Sequence, residues 1–193
     1  YSLTDYYMLT PDLTAFIGLD NFKELLQDKL FLKSIGNIFK FVLFIMPVQV
    51  GTALFLALLV NNKAKGTIFY KIAFFSPVVM SLVVVSVLWL YLLNPADGLI
   101  NVILEAIGLN PQPLLTSPKQ AMYVIILISA WQGAGYQMLI FLAGLQNIPA
   151  EVYEASTIDG ATKWEQFKHI TLPMLKPTSL MILTTTLIDA FKL

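Results

Sequence analysis

The chain is 193 residues long, 57% apolar and only 12% charged, with twelve lysines, no arginine, twelve acidic residues and a formal net charge of zero. A soluble domain is nearer about 25% charged, so this balance excludes an ordinary soluble globule, and the missing basic excess excludes an electrostatic footprint for nucleic acid. There is no cysteine and a single histidine, His169, which leaves no disulfide framework, no thiolate chemistry and no His/Cys set for a metal.

The mean hydropathy is +0.73, and the apolar residues are gathered into long runs. Residues 1–37 precede the first run and are expected to form an external amphipathic segment. Within them 20–33 (DNFKELLQDKLFLK) places Phe22, Leu25, Leu26 and Leu30 at helical spacing behind Asp20 as a candidate N-cap. A membrane domain is expected over 38–193. Its spans are about 39–60, 72–93, 121–145 and an incomplete fourth from 174 to 193. About twenty helical residues cross a hydrocarbon core of roughly 30 Å, and backbone groups in lipid must pair within the segment. The expected fold is therefore all-α, a polytopic transmembrane helix bundle. Pro47, Pro77, Gly133 and Gly135 fall in or near spans, where such residues are common and the small ones let helices approach.

Sidedness follows from lysine. The short connection 61–71 holds Lys63, Lys65 and Lys71 without an acid, whereas 94–120 holds Asp97 and Glu105 against Lys119. Lysine-rich short loops stay inside. Alternation then puts 1–37 and 94–120 outside, the latter with a short helix near 98–107, and returns 146–173 to the cytoplasm.

That last segment, QNIPAEVYEASTIDGATKWEQFKHITLP, is dense in helix signals. Pro149 suits a first helical turn, with Glu151 and Glu154 near its positive end. Asp159-Gly160 stops the helix. Thr162 and Glu165 form a capping box for a second helix to about Ile170, and Pro173 resets the chain for the fourth span. A cytoplasmic helical hairpin results. It serves either as a mechanical linker, with Ala155 and Gly160 leaving room for a partner backbone and Glu154 or Asp159 facing basic groups, or as a surface hairpin packed only on its own bundle.

The same segment resembles the EAA motif of ABC-importer permeases: E-A-A, three residues, G, nine residues, I-x-L-P. Here it reads Glu154-Ala155-Ser156, Gly160, Ile170, Leu172 and Pro173, with Ser156 replacing the second alanine. The runs at 16–22 (FIGLDNF), 65–71 (KGTIFYK), 94–101 (NPADGLIN), 143–149 (AGLQNIP) and 153–161 (YEASTIDGA) are similar to the carbohydrate branch of that binding-protein-dependent, MetI-like family, which contains maltose-type and glycerol-phosphate-type permeases. The resemblance implies a permease of about six spans in a prokaryotic cell membrane, here without its first span, part of its fifth and its sixth. It implies a second, different permease subunit, two cytoplasmic ABC ATPases, an extracellular solute-binding protein, surrounding lipid and a sugar solute. Glu151, Glu154, Ala155, Ser156, Asp159, Gly160 and Ala161 would couple to the ATPases. No G-x-x-x-x-G-K-[ST] occurs in the sequence, so ATP and Mg would sit on those partners. The chain itself is expected to hold no cofactor and to be no enzyme.

Polar groups inside a span are costly and mark candidate solute paths. Ser129, Gln132, Tyr136 and Gln137 beside Trp131 are such groups, as are Thr184, Thr185, Thr186, Asp189 and Lys192. Helix-to-helix hydrogen bonding explains them equally, and Asp189 and Lys192, three apart, can pair with each other. In maltose-type permeases a tyrosine and a glycine in this part of the span line the solute site, which the resemblance carries to Tyr136 and Gly133. A non-sugar solute (glycerol-phosphate, polyamine, phosphate or amino acid) and an ATPase-independent channel stay open as alternatives. An integral-membrane enzyme would need a polar constellation that this sequence lacks.

Overall fold

The computed structural model describes residues 1–6, 15–61 and 66–192. The chain divides into two compact units, Tyr1–Lys40 and Phe41–Leu193.

In the first unit, β1 (Thr4–Asp5) pairs antiparallel with β2 (Ala15–Phe16), Thr4 opposite Phe16. The Asn21 amide donates to the carbonyls of Ser2 (3.1 Å) and Thr4 (3.1 Å), tying the first strand to α1 (Asp20–Gln27). This gives the FIGLDNF run a structural use. Asp20 is not the N-cap: Leu19 holds that position without a side-chain bond, and Asp20 pairs with Lys23 at 2.6 Å instead. Nor is 20–33 one helix. The Asp28 carboxylate accepts from the Leu30 amide at 2.7 Å, and this local bond interrupts the helix and starts another. The new helix, α2 (Lys29–Asn61), is 33 residues long.

In the second unit α2 buries Phe41, Ile45, Ala53, Ala57 and Val60 and carries Pro47 inside it. The expected span 72–93 is a broken element. Helix α3 (Thr67–Phe75) runs into a 3₁₀ turn over Ser76–Val79, and α4 (Leu82–Leu92) leaves at 100°. Pro77 removes a backbone donor at the bend, and the Ser81 hydroxyl accepts from the Val84 amide at 3.3 Å to begin α4. Lys63 and Lys65, which set the expected sidedness, lie outside the described residues, as does the start of the 65–71 run.

The 94–120 segment is folded tightly. Asn94 accepts from the Ala96 amide at 2.9 Å ahead of α5 (Leu99–Ala106). Buried Asn101 donates to the carbonyls of Pro95 (3.1 Å) and Gln112 (3.0 Å) and accepts from the Gln112 amide (2.9 Å). Gln120 closes the set by donating to the Gln112 side chain at 2.9 Å.

Helix α6 (Ala121–Gln146) is the central element, burying nine residues from Ile126 to Leu145. One apolar core joins Ala53, Ala57, Ala134, Met138, Phe141, Leu175 and Ile182, and a second joins Phe41, Ile45, Ile126, Ala130 and Ala190. Gly135 is where α3 meets α6. A Cβ there would strike the Phe74 carbonyl oxygen and lie 3.0 Å from the Phe74 carbonyl carbon. Among the described residues, α2 and α6 are long and apolar enough to cross a membrane singly, and the bent α3–α4 pair passes the same test together.

After α6 come α7 (Ala150–Ile158) and α8 (Lys163–Gln166). The helix does not stop near Ile170 for Pro173 to restart it. It passes through a π turn (Phe167–Thr171), α9 (Leu172–Met174) and α10 (Lys176–Ala190). Widening the register ahead of Pro173 accommodates a residue that cannot donate to the helical ladder.

Candidate functional site: a helical hairpin and a polar cleft

Two features collect the candidate residues. The first is the hairpin 146–173. Its turn closes through paired backbone bonds: the Gly160 amide donates to the Thr157 carbonyl (3.1 Å) and the Ala161 amide to the Ser156 carbonyl (2.9 Å). This Schellman arrangement needs a left-handed residue after the cap, and Gly160 has φ +82. The expected capping box is present. Glu165 donates its amide to the Thr162 hydroxyl at 3.3 Å and accepts with its carboxylate from the Thr162 amide at 2.7 Å and hydroxyl at 2.8 Å. Those bonds, the backbone one first and the hydroxyl second, hold the Glu165 carboxyl below its ordinary range.

The hairpin is seated at its base and free at its tip. Tyr153 and Ile170 pack against the core that holds Ile148 and Leu175. Gly144 of α6 faces Thr178 of α10 so closely that a Cβ would lie 2.8 Å from the Thr178 hydroxyl. Both legs are thus clamped where they leave the core. Away from it Glu151, Glu154, Ala155, Asp159 and Gly160 are exposed, while Ser156 and Ala161 are half-buried. Ile158 is 87% and Trp164 69% exposed, large apolar faces that helical patterning does not explain.

The second feature is a cleft of about 440 Å³ lined by Gln49, Ser129, Gln132, Gly133, Thr186 and Asp189 among apolar residues of α2, the Ser76–Val79 turn, α4 and α10. A neighbouring cavity of about 320 Å³ shares Leu82, Ser129 and Gln132 and adds Ser86 and Trp89. Gln132, Gly133 and Asp189 therefore meet at one place, and Tyr136 and Gln137 do not line it. Tyr136 follows Gln132 by four residues, on the same stripe of α6 one turn further along, and is 56% exposed. Gln137 is buried and donates to the Thr186 hydroxyl at 2.7 Å, joining α6 to α10 as a helix-to-helix bond. Asp189 lies on the cleft wall and also pairs with Lys192 at 2.9 Å.

Gln49 is the residue that sequence reading missed. Its amide covers Gly133, where an added Cβ would meet the Gln49 side-chain nitrogen and lie 2.8 Å from its Cδ. A glutamine amid Phe44-Ile45-Met46-Pro47-Val48 was signal enough, since an amide inside an apolar span is as costly there as in α6.

The family described as binding-protein-dependent transport system inner membrane component matches residues 32–193. The arabinooligosaccharides transport system permease protein AraP of Bacillus subtilis is 32% identical over 99% of this chain and 61% of its own length. The sn-glycerol-3-phosphate transport system permease protein UgpA of Shigella flexneri is 36% identical over 92% of this chain and 60% of its own length. In structure the chain is similar to a chain of a bacterial alginate ABC transporter, crystallised in complex with an alginate pentasaccharide-bound periplasmic protein. The TM-score is 0.80 at 30% identity, covering 86% of this chain and 59% of that one. The chain spans about three-fifths of the length of the curated relatives it matches.

Proposed function

The chain belongs to the binding-protein-dependent transport system inner membrane component family, and from that premise we propose that it is the membrane-spanning permease part of an ATP-driven ABC importer for a sugar or oligosaccharide. The hairpin carries this reading. It is clamped to α6 and α10 at its base, closed by a left-handed glycine and a capping box, and presents Glu151, Glu154, Ala155 and Asp159 outward. A rigid exposed element between two core helices is what a soluble motor needs as a handle. The handle faces the cytoplasm and sits on an ABC ATPase, which holds ATP and Mg. Closure of two such ATPases moves the hairpin as a body and rocks the attached helices between inward- and outward-facing states. The solute, handed over by an extracellular binding protein, passes the cleft where Gln49, Gln132, Thr186 and Asp189 offer hydrogen bonds beside apolar walls. A second permease subunit completes the pathway in a prokaryotic inner membrane. Tyr136, exposed one turn beyond Gln132 on the same stripe of α6, would meet solute further along the path than the cleft.

Likeness to AraP and to the alginate transporter chain supports an oligosaccharide, and the 36% identity to UgpA supports sn-glycerol-3-phosphate as the second reading. The test is reconstitution of the full-length permease with the ATPase, second permease and binding protein recovered with it from its native membrane. Uptake is then measured for a panel of arabino-oligosaccharides, alginate oligosaccharides and sn-glycerol-3-phosphate. ATP-dependent uptake of one panel member supports the importer and names its solute class. Solute flux that ignores ATP, with no ATPase recovered, refutes the importer in favour of a channel.

A further inference from the structure

Inside the hairpin one side chain is wired in a way that the EAA pattern does not require. Gln166 is 4% exposed although it lies on the short helix α8. Its amide nitrogen is 2.9 Å from the Ser156 hydroxyl and 2.9 Å from the Thr157 hydroxyl, both on α7. Those two hydroxyls in turn donate to the Tyr153 carbonyl, each at 2.8 Å. The directions fit together. An amide nitrogen has two N–H donors and each hydroxyl has one proton and free lone pairs. With both hydroxyl protons turned to Tyr153, each hydroxyl is left to accept one Gln166 N–H. The amide oxygen then faces the other way, where Lys163 donates to it at 3.3 Å. A second bond between the legs, Tyr153 hydroxyl to Thr171 hydroxyl at 2.9 Å, lies beside it.

We infer that Gln166 is a positioning residue of the coupling hairpin, a clasp that locks α7 to the helical run from α8 to α10, and that Ser156, where the EAA pattern has alanine, is there to receive it. The inference rests on the importer reading above. An alanine at 156 would remove one of the two hydroxyl acceptors and leave that N–H only the longer contact to the Tyr153 carbonyl at 3.4 Å, so residues 156 and 166 act as a pair. With the clasp closed, a push on α7 turns α10 with it. With the clasp open, α7 swings about the Gly160 turn and the motion is lost before it reaches the cleft.

These 193 residues contain no cysteine, so spin labels can be set at exposed Ile158 and Lys168, one on each leg. In the full reconstituted complex, Gln166→Leu keeps the side-chain bulk and removes the donors. Expected is a broadened Ile158–Lys168 distance distribution and at least a fivefold fall in solute imported per ATP hydrolysed, using the panel member that the unaltered complex accepts. Ser156→Ala combined with Thr157→Val should reproduce both changes, and adding Gln166→Leu to that pair should change neither further. A narrow distribution with an unchanged import ratio in Gln166→Leu would overturn the clasp. So would a fivefold fall of equal size in both backgrounds, because Gln166 would then act through something other than the two hydroxyls. Should the single variant not assemble, the Ser156/Thr157 pair alone decides by the same two readouts. Uptake by the unaltered complex that ignores ATP would instead sink the importer reading and, with it, any coupling role for the clasp, while the label distances still report whether the legs are locked.

Discussion

Replacing Gly135 by alanine should be the most damaging such change among the glycines of α6. The new Cβ would strike the Phe74 carbonyl oxygen and lie 3.0 Å from the Phe74 carbonyl carbon and 3.1 Å from Phe75 Cα. All three are backbone atoms at the end of α3, next to the bend at Ser76–Val79, so no rotamer change relieves the clash and the two helices must part. Overpacking a close-packed interior typically costs about 1–3 kcal/mol, and the dispersion attraction forfeited along a separating interface pushes towards the upper part of that range. For a chain of this length about 2 kcal/mol corresponds to a fall of roughly 4–8 °C in melting temperature. The assay is thermal loss of the monodisperse full-length complex in mild detergent. Gly133→Ala is the matched control, because the atoms in its way belong to the end of the Gln49 side chain, which can swing aside. Gly133→Ala should melt within about 2 °C of the unaltered protein and lose uptake instead, its methyl and the displaced amide intruding on the cleft. Equal melting temperatures for the two variants would refute the idea that backbone approach at Phe74 sets helix spacing here.

Gly160→Val places a β-branched residue at φ +82, at a cost of roughly 1–2 kcal/mol or more. The strain stays in the hairpin, so membrane insertion should be unchanged while co-purification of the ATPase drops; full recovery of the ATPase would argue against the coupling role. Acid should loosen the second leg of the hairpin. The Glu165 carboxyl is lowered by its bonds to Thr162, so its contribution is fully present above the ordinary glutamate range and is lost as pH falls through the lowered folded value. Hydrogen–deuterium exchange over 162–170, corrected for intrinsic rates, should rise across that window and lose its pH dependence in Glu165→Gln. A flat profile in the unaltered protein would refute the capping contribution.

What could be read in advance divides along physical lines. The hairpin was legible because its signals are local: a proline, an Asp-Gly turn and a Thr-x-x-Glu box each act within a few residues, and the last two appear where expected, while Pro149 is the N-cap and α7 begins one residue after it. The α6 span was legible from length and apolarity. The bend between α3 and α4 was not, since a hydropathy pattern is blind to direction and Pro77 alone permits either a kink or a turn. Helix 20–33 failed at Asp28 because one carboxylate found a nearer amide than the helix offered. In the cleft, Gln132, Gly133 and Asp189 were found by cost, as polar or small groups in apolar surroundings, but the same test could not say how far along α6 the cleft extends, so Tyr136 on their stripe was not separated from them. Periodicity fixes relative faces along one helix. Only the approach of α2 and α10 decides which face borders the cleft, and Gln49 entered through that approach.

The π turn at Phe167–Thr171 has a consequence for how tolerant this stretch is of length change. Ile182, Thr186 and Ala190, buried at four-residue intervals, form one stripe of α10 turned towards α6 and the cleft. Each residue of an α-helix advances the stripe by about 100°, and the π turn absorbs one residue more than an α turn would. It therefore takes up one residue of length without turning the stripe away from α6. Removing one residue from 167–171 would turn the π turn into an ordinary α turn and leave Thr186 facing nearly as before, whereas removing one from regular helix within α10 ahead of Ile182 would rotate the stripe by about 100°. A one-residue change in length is thus tolerated by the buried face of α10 inside the π turn and not inside the regular helix that follows it.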